Sequence, residues 1–457
     1  MDDAIRQDIA AVIETTRFVD THEHLPDESV RISEAAERAS CWGTPLDFSV
    51  LFANYARADL AVAGMPEADL DRFFSPGLAP AAKWRLVAPY FARTRHTGYM
   101  RAIRETVRIL YEQEDLREDT CEAVSRAVAE GVRPGFYRRI LADTAGIAYA
   151  QVNAVDPPLA LPVFRDTDQP DLLAQDLSTM VLSTALDIET GARLAGRDVA
   201  TLSDWHGIID WAFETYGPRA IATKNQSAYQ RRLDYAPVTA DEAAPLFERY
   251  RKDPTSLSPE EYKAVQDHLF HYCVRKAIEY GLPVKLHVGY HAGRGSMSLD
   301  HVRKNASDLC VLLKAYPDAR FDLFHINYPY QDEAIALAKH FHNAYIDMCW
   351  AWIINPAACV RFVKEFVTTA PINKLLTFGG DYRVVEVVPG HARVARDGLT
   401  QALTELVEER QIDLGEAPDL AARLMRGNAE ELFDQDRALA NWKKWKAAAR
   451  NKADAPG

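Results

Sequence analysis

Two histidines separated by a single residue are the first group in this sequence that could bind a metal ion. His22 and His24 follow the short, partly β-branched run of residues 18–21, and Pro26 ends that run soon afterwards. Alternate side chains of a strand point to the same face, so the two imidazoles can reach one cation together. Two surface histidines beside a turn would give the same pattern, so the pair needs support from other segments.

Three further groups stand where apolar runs give way to loop residues. His287 lies within residues 285–289, His325 lies within residues 322–329, and Asp381 follows a pair of glycines. The second of these, Gly380, lets the backbone approach a ligand closely. Histidines and a carboxylate at several strand ends favour a metal site over isolated surface groups.

The elements that must position these groups alternate along the chain. Residues 1–32 contain an amphipathic helix and a first strand, whereas residues 33–135 show helical periods with few strand-like runs. From 136 to 436, apolar runs alternate with helical periods, which is typical of βα units and a parallel sheet. The charged segment 437–457 is predicted to be a helical tail. A large α/β barrel takes ~250 residues, so 457 residues leave room for the helical insertion.

The order of these motifs resembles the amidohydrolase superfamily, of the amidohydrolase-2 type. That superfamily has an HxH pair on the first strand, one histidine each on the fifth and sixth strands, and an aspartate on the eighth. Residues 285–289 (KLHVG) resemble uronate isomerases, and the segment around His325 resembles the amidohydrolase-like domain fused to some glutamine synthetases. The resemblance implies an α/β fold, a distorted (β/α)8 TIM barrel with a large helical insertion after strand 1.

The resemblance also implies a ligand set and one divalent metal ion. Zn²⁺ is the first expectation and Mn²⁺ the alternative, while a second ion bridged by Lys224 at the end of strand four is less favoured. Zinc lowers the pKa of its bound water to ~7. Asp381 would act as the base, and His325 would steady the oxyanion or act as an acid unless it is a structural core histidine. The metal ligands implied by the resemblance are His22, His24, His287 and Asp381.

Several side chains near these strand ends could bind a substrate. Tyr290 and Arg294 continue from the His287 strand, Arg383 follows Asp381, and Lys224 ends another strand. Cations at a barrel mouth suit an anionic ligand, so together they favour a small acidic substrate. Each of them, taken singly, also fits a surface cation.

The leading interpretation is a metal-dependent hydrolase that cleaves a C–N or C–O bond of an amide, ring amide or lactone. Decarboxylation without oxidation and isomerisation of uronic sugars need a similar set of residues, so both stay open. A non-catalytic barrel would predict broken ligand positions, whereas all five expected positions are filled.

The composition favours a small molecule as the binding partner. A formal charge of −13 argues against nucleic acid, which is bound through clustered Lys and Arg. Neither a signal peptide nor an apolar run of membrane-spanning length is visible, so a cytoplasmic protein without a membrane partner is expected. The six cysteines show no metal-binding or disulfide spacing. The resemblance is also compatible with a homo-oligomer.

Overall fold

The computed structural model describes residues 3–36, 46–155 and 162–453. Residues 37–45 of the predicted insertion and 454–457 of the predicted tail lie outside the described residues. The chain divides into two compact units. Unit 1 comprises Met1–Ala160, Tyr290–Ser298 and Ile346–Ala429, and unit 2 comprises Leu161–Gly289, Leu299–Tyr345 and Glu430–Gly457.

The strands of unit 1 are parallel and bring the two ends of the strand series together. Phe18 pairs with Ile147, and Ile346 pairs with Leu375. Beyond the last strand, Asp381 N donates to His22 O at 2.8 Å. First and last strands are therefore neighbours, as closure of an α/β barrel requires. The strands are β1 (Phe18–Glu23), β2 (Ile147–Val152), β8 (Ala344–Asp347, which begins in unit 2) and β9 (Leu375–Leu376).

A helical segment separates β1 from β2 and has its own apolar core. Phe48, Phe52, Phe73 and Phe91 are all buried there. The Phe52 and Phe73 rings meet edge to face at 5.4 Å, an arrangement that aromatic pairs prefer. The helices of this segment are α2 (Glu28–Ala36), α3 (Ala56–Val62), α4 (Glu67–Phe73), α5 (Pro80–Thr94), α6 (Gly98–Tyr111), α7 (Cys121–Gly131) and α8 (Phe136–Arg138).

The rest of unit 1 packs helices against these elements. Helix α1 (Asp3–Thr15) buries Ile9 and Ile13, one turn apart on the face that the sequence pattern predicts. Arg31 donates two hydrogen bonds to Glu386, at 3.1 and 2.5 Å. This buried bidentate ion pair joins α2 to the segment just before Val388. The other helices are α15 (Ala351–Ile354), α16 (Pro356–Thr369), α17 (Val388–Glu408), α18 (Ala417–Ala422) and α19 (Asn428–Leu432, which ends in unit 2).

Unit 2 contains a continuous run of parallel strands. Lys224 is paired with Lys285, and Lys285 with Asp322. The Lys285 ammonium is buried, and its charge is balanced by Asp176 at 2.9 Å. The third and fourth strands are separated by Asp176 alone. If these two are counted as one strand, the described residues contain eight strands. The strands are β3 (Leu173–Gln175), β4 (Leu177–Ser178), β5 (Thr223–Asn225), β6 (Val284–Leu286) and β7 (Phe321–Leu323).

Three helices of unit 2 begin at a capping box. Thr201, Thr239 and Ser258 each form a reciprocal capping box with the acidic residue three positions later. None of the helices in residues 3–36, 46–155 and 162–453 is long and apolar enough to cross a lipid bilayer. The unit 2 helices are α9 (Ile188–Ala195), α10 (Leu202–Tyr216), α11 (Ala240–Lys252), α12 (Pro259–Glu279), α13 (Leu299–Ala315), α14 (Gln331–His340) and α20 (Gln435–Ala453).

Candidate metal centre

Three of the predicted metal ligands converge in unit 1. The Nε2 atoms of His22 and His24 lie 3.3 Å apart. Asp381 Oδ1 lies 3.3 Å from His22 Nε2 and 3.2 Å from His24 Nε2. Two imidazoles and a carboxylate oxygen at mutual contact form a donor set that could hold one divalent ion.

His24 and Asp381 are each held in a defined conformation. His24 Nδ1 lies 2.7 Å from the carbonyl oxygen of Asn153, which can only accept, so Nδ1 carries the proton and Nε2 keeps its lone pair. Asp381 has a φ of 62°, in the left-handed region that non-glycine residues rarely adopt. Such strain is typical of functional positions whose surroundings enforce it. Nε2 of His24 is therefore oriented for a metal before any ion arrives.

A buried pair of carboxyl groups lies behind the histidines. Burial is the main cause that raises the pKa of both Asp20 and Glu23, and the charge of Asp20 raises the pKa of Glu23 further. Glu23 Oε2 accepts from Tyr382 N at 2.6 Å, and Asp20 Oδ1 accepts from Gly380 N at 3.2 Å. These two backbone hydrogen bonds tie β1 to the loop that carries Asp381.

Gly380 leaves room for this carboxyl pair rather than for a ligand. A Cβ atom at this position would lie 1.9 Å from Glu23 Oε1. No side chain fits at that distance, so glycine is required for the loop to pass over Glu23. The close backbone approach that the sequence predicts at Gly380 therefore serves a protein side chain.

Tyr55 from the helical segment holds Asp381, and sequence reasoning missed it. Its hydroxyl lies 2.5 Å from Asp381 Oδ2 and 2.5 Å from the Asp381 carbonyl oxygen, so a single proton is shared between them. Asn54 Nδ2 also donates to that carbonyl oxygen, at 3.3 Å. The helical segment after β1 thus positions the carboxylate of the last strand.

Aromatic rings hold Tyr55 in place. Its ring stacks on Trp350 at 4.5 Å and on Tyr99 at 5.4 Å. Trp350 has a φ of 61°, a second left-handed residue at a strand end of this unit. Tyr290, a predicted substrate-binding residue, lies 5.7 Å from the Trp350 ring. Trp350 therefore lies against both Tyr290 and Tyr55, the residue that is hydrogen-bonded to Asp381.

The other two predicted histidines meet in unit 2. His287 Nδ1 and His325 Nε2 are 3.0 Å apart, and both side chains are buried. His325 has a φ of 61°. That His287 shares an ion with the unit 1 ligands, and that His325 acts as an acid, both stay predictions.

The three predicted substrate cations have different surroundings. Lys224 is buried, with its ammonium 3.7 Å from the centre of the Phe324 ring. Arg294 is 46% exposed and forms an ion pair with Glu67. Arg383 Nε donates at 3.1 Å to Oδ1 of Asn54, the amide that also binds Asp381. Asn54 therefore binds both Arg383 and the candidate metal ligand Asp381.

The family model named Amidohydrolase matches residues 252–435. Protein fluG of Emericella nidulans is 22% identical over 223 residues, which are 48% of this chain and 26% of that protein. A uronate isomerase of Rhizorhabdus wittichii is 34% identical over 95 residues, which are 21% of this chain and 20% of that protein. The chain therefore aligns with 26% and 20% of the lengths of these curated relatives.

Solved structures match almost the whole chain at low identity. The uronate isomerase of Thermotoga maritima has a TM-score of 0.73 at 15% identity and covers 95% of this chain and 99% of its own. The glucuronate isomerase of Caulobacter crescentus has a TM-score of 0.71 at 18% identity, covering 94% and 95%. A protein described as a candidate metal-dependent hydrolase from Lactobacillus casei has a TM-score of 0.64 at 18% identity, covering 94% and 99%.

These matches confirm two sequence-based predictions. The first is the resemblance to the amidohydrolase superfamily and, within it, to uronate isomerases. The second is the fold, a distorted (β/α)8 barrel with a large helical insertion after its first strand.

Proposed function

We propose, from this resemblance, that the chain is a metal-dependent hydrolase that cleaves a C–N or C–O bond of a small acidic molecule. The observation that carries the proposal is the convergence of His22 Nε2, His24 Nε2 and Asp381 Oδ1 within 3.3 Å of one another. These three groups leave further coordination positions for His287, which stays a predicted ligand, and for reactants, as catalytic metal sites do.

The donor set fits a divalent ion such as Zn²⁺. Imidazole nitrogens and a carboxylate oxygen suit Zn²⁺ better than Ca²⁺ or Mg²⁺, which prefer oxygen alone. The carbonyl of Asn153 orients His24 on its far side, as backbone carbonyls commonly do for metal-binding histidines. When bound, such an ion supplies an activated water and polarises a substrate oxygen.

Asp381 is the residue proposed to move protons. One of its oxygens faces the two imidazoles, and the other accepts the hydroxyl of Tyr55. A carboxylate in this position can accept a proton from water and return it to the leaving nitrogen or oxygen. Tyr55 keeps the carboxylate oriented by donating a hydrogen bond to it.

The acidic substrate is proposed from Arg383. Asn54 holds both its guanidinium and the backbone of Asp381, so cation and proposed base are fixed to one amide. A guanidinium can bind a carboxylate through two parallel hydrogen bonds. Arg294 supports the proposal less, because its charge is already paired with Glu67 at the surface.

Isomerisation of a uronic sugar is the second candidate, and the Tyr55–Asp381 contact favours it together with the local 34% identity to a uronate isomerase. Aldose–ketose interconversion moves protons between neighbouring carbon and oxygen atoms. A carboxylate and a phenol joined by a 2.5 Å hydrogen bond could act as base and acid on adjacent atoms.

Product analysis on a substrate panel tests the proposal. Protein stripped of metal and then reloaded with Zn²⁺ or Mn²⁺ is offered acidic amides, lactones, aromatic carboxylates and uronates in H₂¹⁸O. Hydrolysis predicts ¹⁸O in one product and activity only after metal is restored. Isomerised uronate without ¹⁸O at the carboxyl group would favour the second candidate, and CO₂ release would indicate a decarboxylase.

The variant Arg383→Met tests the acidic substrate. We expect a KM raised about 10-fold or more for acidic substrates, with a smaller change for their neutral amide or ester analogues. Arg294→Met is the matched control, because it removes an arginine that is already paired at the surface. Equal effects of both variants would contradict the role proposed for Arg383.

A further inference from the structure

A second pair of histidines meets in unit 2, between two helices. His206 lies on α10 and His268 on α12, and their Nε2 atoms are 2.9 Å apart. His268 is buried and His206 is half-buried, so solvent reaches the pair from one side. The pair belongs to helices, not to the strand ends that carry the candidate metal centre.

His268 is oriented in the same way as His24. Its Nδ1 lies 2.9 Å from the carbonyl oxygen of Val238, which can only accept, so Nδ1 carries the proton. The lone pair of His268 therefore sits on Nε2 and faces His206. A metal-binding histidine commonly has this arrangement, with its other nitrogen donating to a backbone carbonyl.

His206 is fixed by its neighbours on both helices. Its ring stacks on Tyr272 at 4.1 Å with an interplanar angle of 4°. The Tyr272 hydroxyl donates to Asp210 at 3.0 Å, and Asp210 lies one turn after His206 on α10. The ring is thus held before any ion binds, which reduces the entropy lost on binding.

We propose that His206 and His268 form a second metal site, which takes a divalent ion of right-angle coordination such as Ni²⁺ or Cu²⁺. With metal–nitrogen bonds of ~2.1 Å, two nitrogens 2.9 Å apart subtend about 90° at the ion. Square-planar and octahedral ions have this angle between neighbouring ligands. The 3.3 Å separation of the His22 and His24 nitrogens corresponds instead to about 105°, close to the tetrahedral angle of Zn²⁺.

The protonation state of the pair suits this role. Burial is the main cause that lowers the pKa of His206, to about 4, and it also lowers the pKa of His268. Both rings are therefore neutral at pH 7, as metal binding requires. Without an ion, His206 Nε2 donates to His268 Nε2; on binding, that proton moves to His206 Nδ1, and no net proton is released.

The remaining ligands of the ion would be water and one nearby charge. The charge of Asp210 favours a cation near His206, although its carboxylate is also ion-paired with Lys276 at 3.3 Å, and Arg275 opposes a cation. Two imidazoles and one partly opposed carboxylate predict a site weaker than the three-ligand centre of unit 1. The site would therefore exchange its ion while the unit 1 ion stays bound.

Isothermal titration with Ni²⁺ tests the proposal in the full-length His22→Asn background, in which the unit 1 site is disabled. We expect one Ni²⁺ per chain, and a loss of affinity of about 10-fold or more when His206→Leu is added. His342→Leu is the control, because it removes a surface histidine of the same unit and should leave binding unchanged. Equal Ni²⁺ binding with and without His206, or no binding in the His22→Asn parent, would overturn the proposal.

A spectroscopic measurement guards against misfolding of either variant. Cu²⁺ added to wild-type protein whose unit 1 site is filled with Zn²⁺ should give an electron paramagnetic resonance spectrum with two imidazole nitrogens. In His268→Gln the spectrum should retain one nitrogen at most. A wild-type spectrum with no coordinated imidazole, or one unchanged in His268→Gln, would overturn the proposal.

Discussion

Two of the histidine pairs in this protein, His22–His24 in unit 1 and His206–His268 in unit 2, differ chiefly in their surroundings. In both, a backbone carbonyl fixes one ring through Nδ1. The first pair directly contacts Asp381, whose other oxygen is held by a tyrosine. The second pair lies near Asp210, whose carboxylate is instead bonded to Tyr272 and ion-paired with Lys276. Both pairs are candidates for binding an ion, but the first pair also contacts a carboxylate that could accept a proton.

Replacing Asp381 by asparagine should have the largest effect on this contrast. Asparagine keeps the shape but removes both the charge and the proton acceptor, so kcat/KM should fall by about 10³-fold or more and tightly bound metal should be lost. Steady-state kinetics on the substrate identified by the panel, with metal content by emission spectroscopy, measures both. Asp210→Asn, the equivalent change beside the second pair, should leave both values near wild type. A decrease in kcat/KM of less than tenfold in Asp381→Asn would contradict the proposal that Asp381 is the base.

Gly380→Ala should disturb the carboxyl pair behind the first histidines. The new methyl group would overlap Glu23 Oε1, so the loop must shift, at a cost of about 1–3 kcal/mol in unfolding free energy. Metal affinity should fall about 10- to 100-fold, because partners that orient metal ligands carry effects of this size. Urea unfolding and metal titration measure the two changes.

The matched control is Gly415→Ala, where an added methyl group meets nothing within 4 Å. It should leave stability and metal affinity within the error of the measurement. If Gly380→Ala behaves like this control, the loop is more adaptable than its contacts indicate.

Tyr55→Phe removes the hydroxyl from Asp381 while keeping the aromatic stack. We expect kcat to fall about 10- to 100-fold with nearly full metal content, because the carboxylate loses its orienting donor but not its ligand role. Tyr99→Phe keeps its ring beside Tyr55 and should have a smaller effect. Loss of metal in Tyr55→Phe would show that the hydroxyl supports binding more than proton transfer.

The His206–His268 pair should make the stability of the protein depend on pH. The pKa of His206 is lowered to about 4 in the folded state, so below pH ~6.5 the unfolded chain binds more protons than the folded chain. Stability should therefore rise with pH between about 4 and 6.5 and level off above that range. His206→Leu should flatten this slope by about 1–2 kcal/mol over the interval, allowing for solvent around the half-buried ring.

Urea unfolding at half-unit pH steps measures the slope, and His342→Leu again serves as the control. An unchanged slope in His206→Leu would show that the ring titrates alike in the folded and unfolded states.

Local patterns in the sequence predicted the ligands that follow from strand geometry. The two-residue period of β1 places His22 and His24 on one face, and their Nε2 atoms do meet. Gly379 and Gly380 marked the loop in which Asp381 lies. Those features depend on neighbours in the chain, which is why a single sequence reveals them.

Contacts between distant segments could not be predicted in this way. Tyr55 lies 326 residues before Asp381. The helical pattern of its segment does not indicate which distant residue the Tyr55 side chain contacts. Asp20 and Glu23 offered a partial signal, because charged residues in an apolar strand need partners when every position is buried. That signal indicates that partners exist but does not identify them.

The helical insertion after β1 has a consequence for how such proteins diversify. The strands supply the candidate ligands, whereas Asn54 and Tyr55 of the inserted segment hold the aspartate and the nearby arginine. Exchange of this segment between homologues would therefore change the contacts of Asp381 and Arg383 together. The strands that carry the candidate metal ligands would stay the same. New reactions could arise by recombination at the two ends of one loop, without any change in the barrel itself.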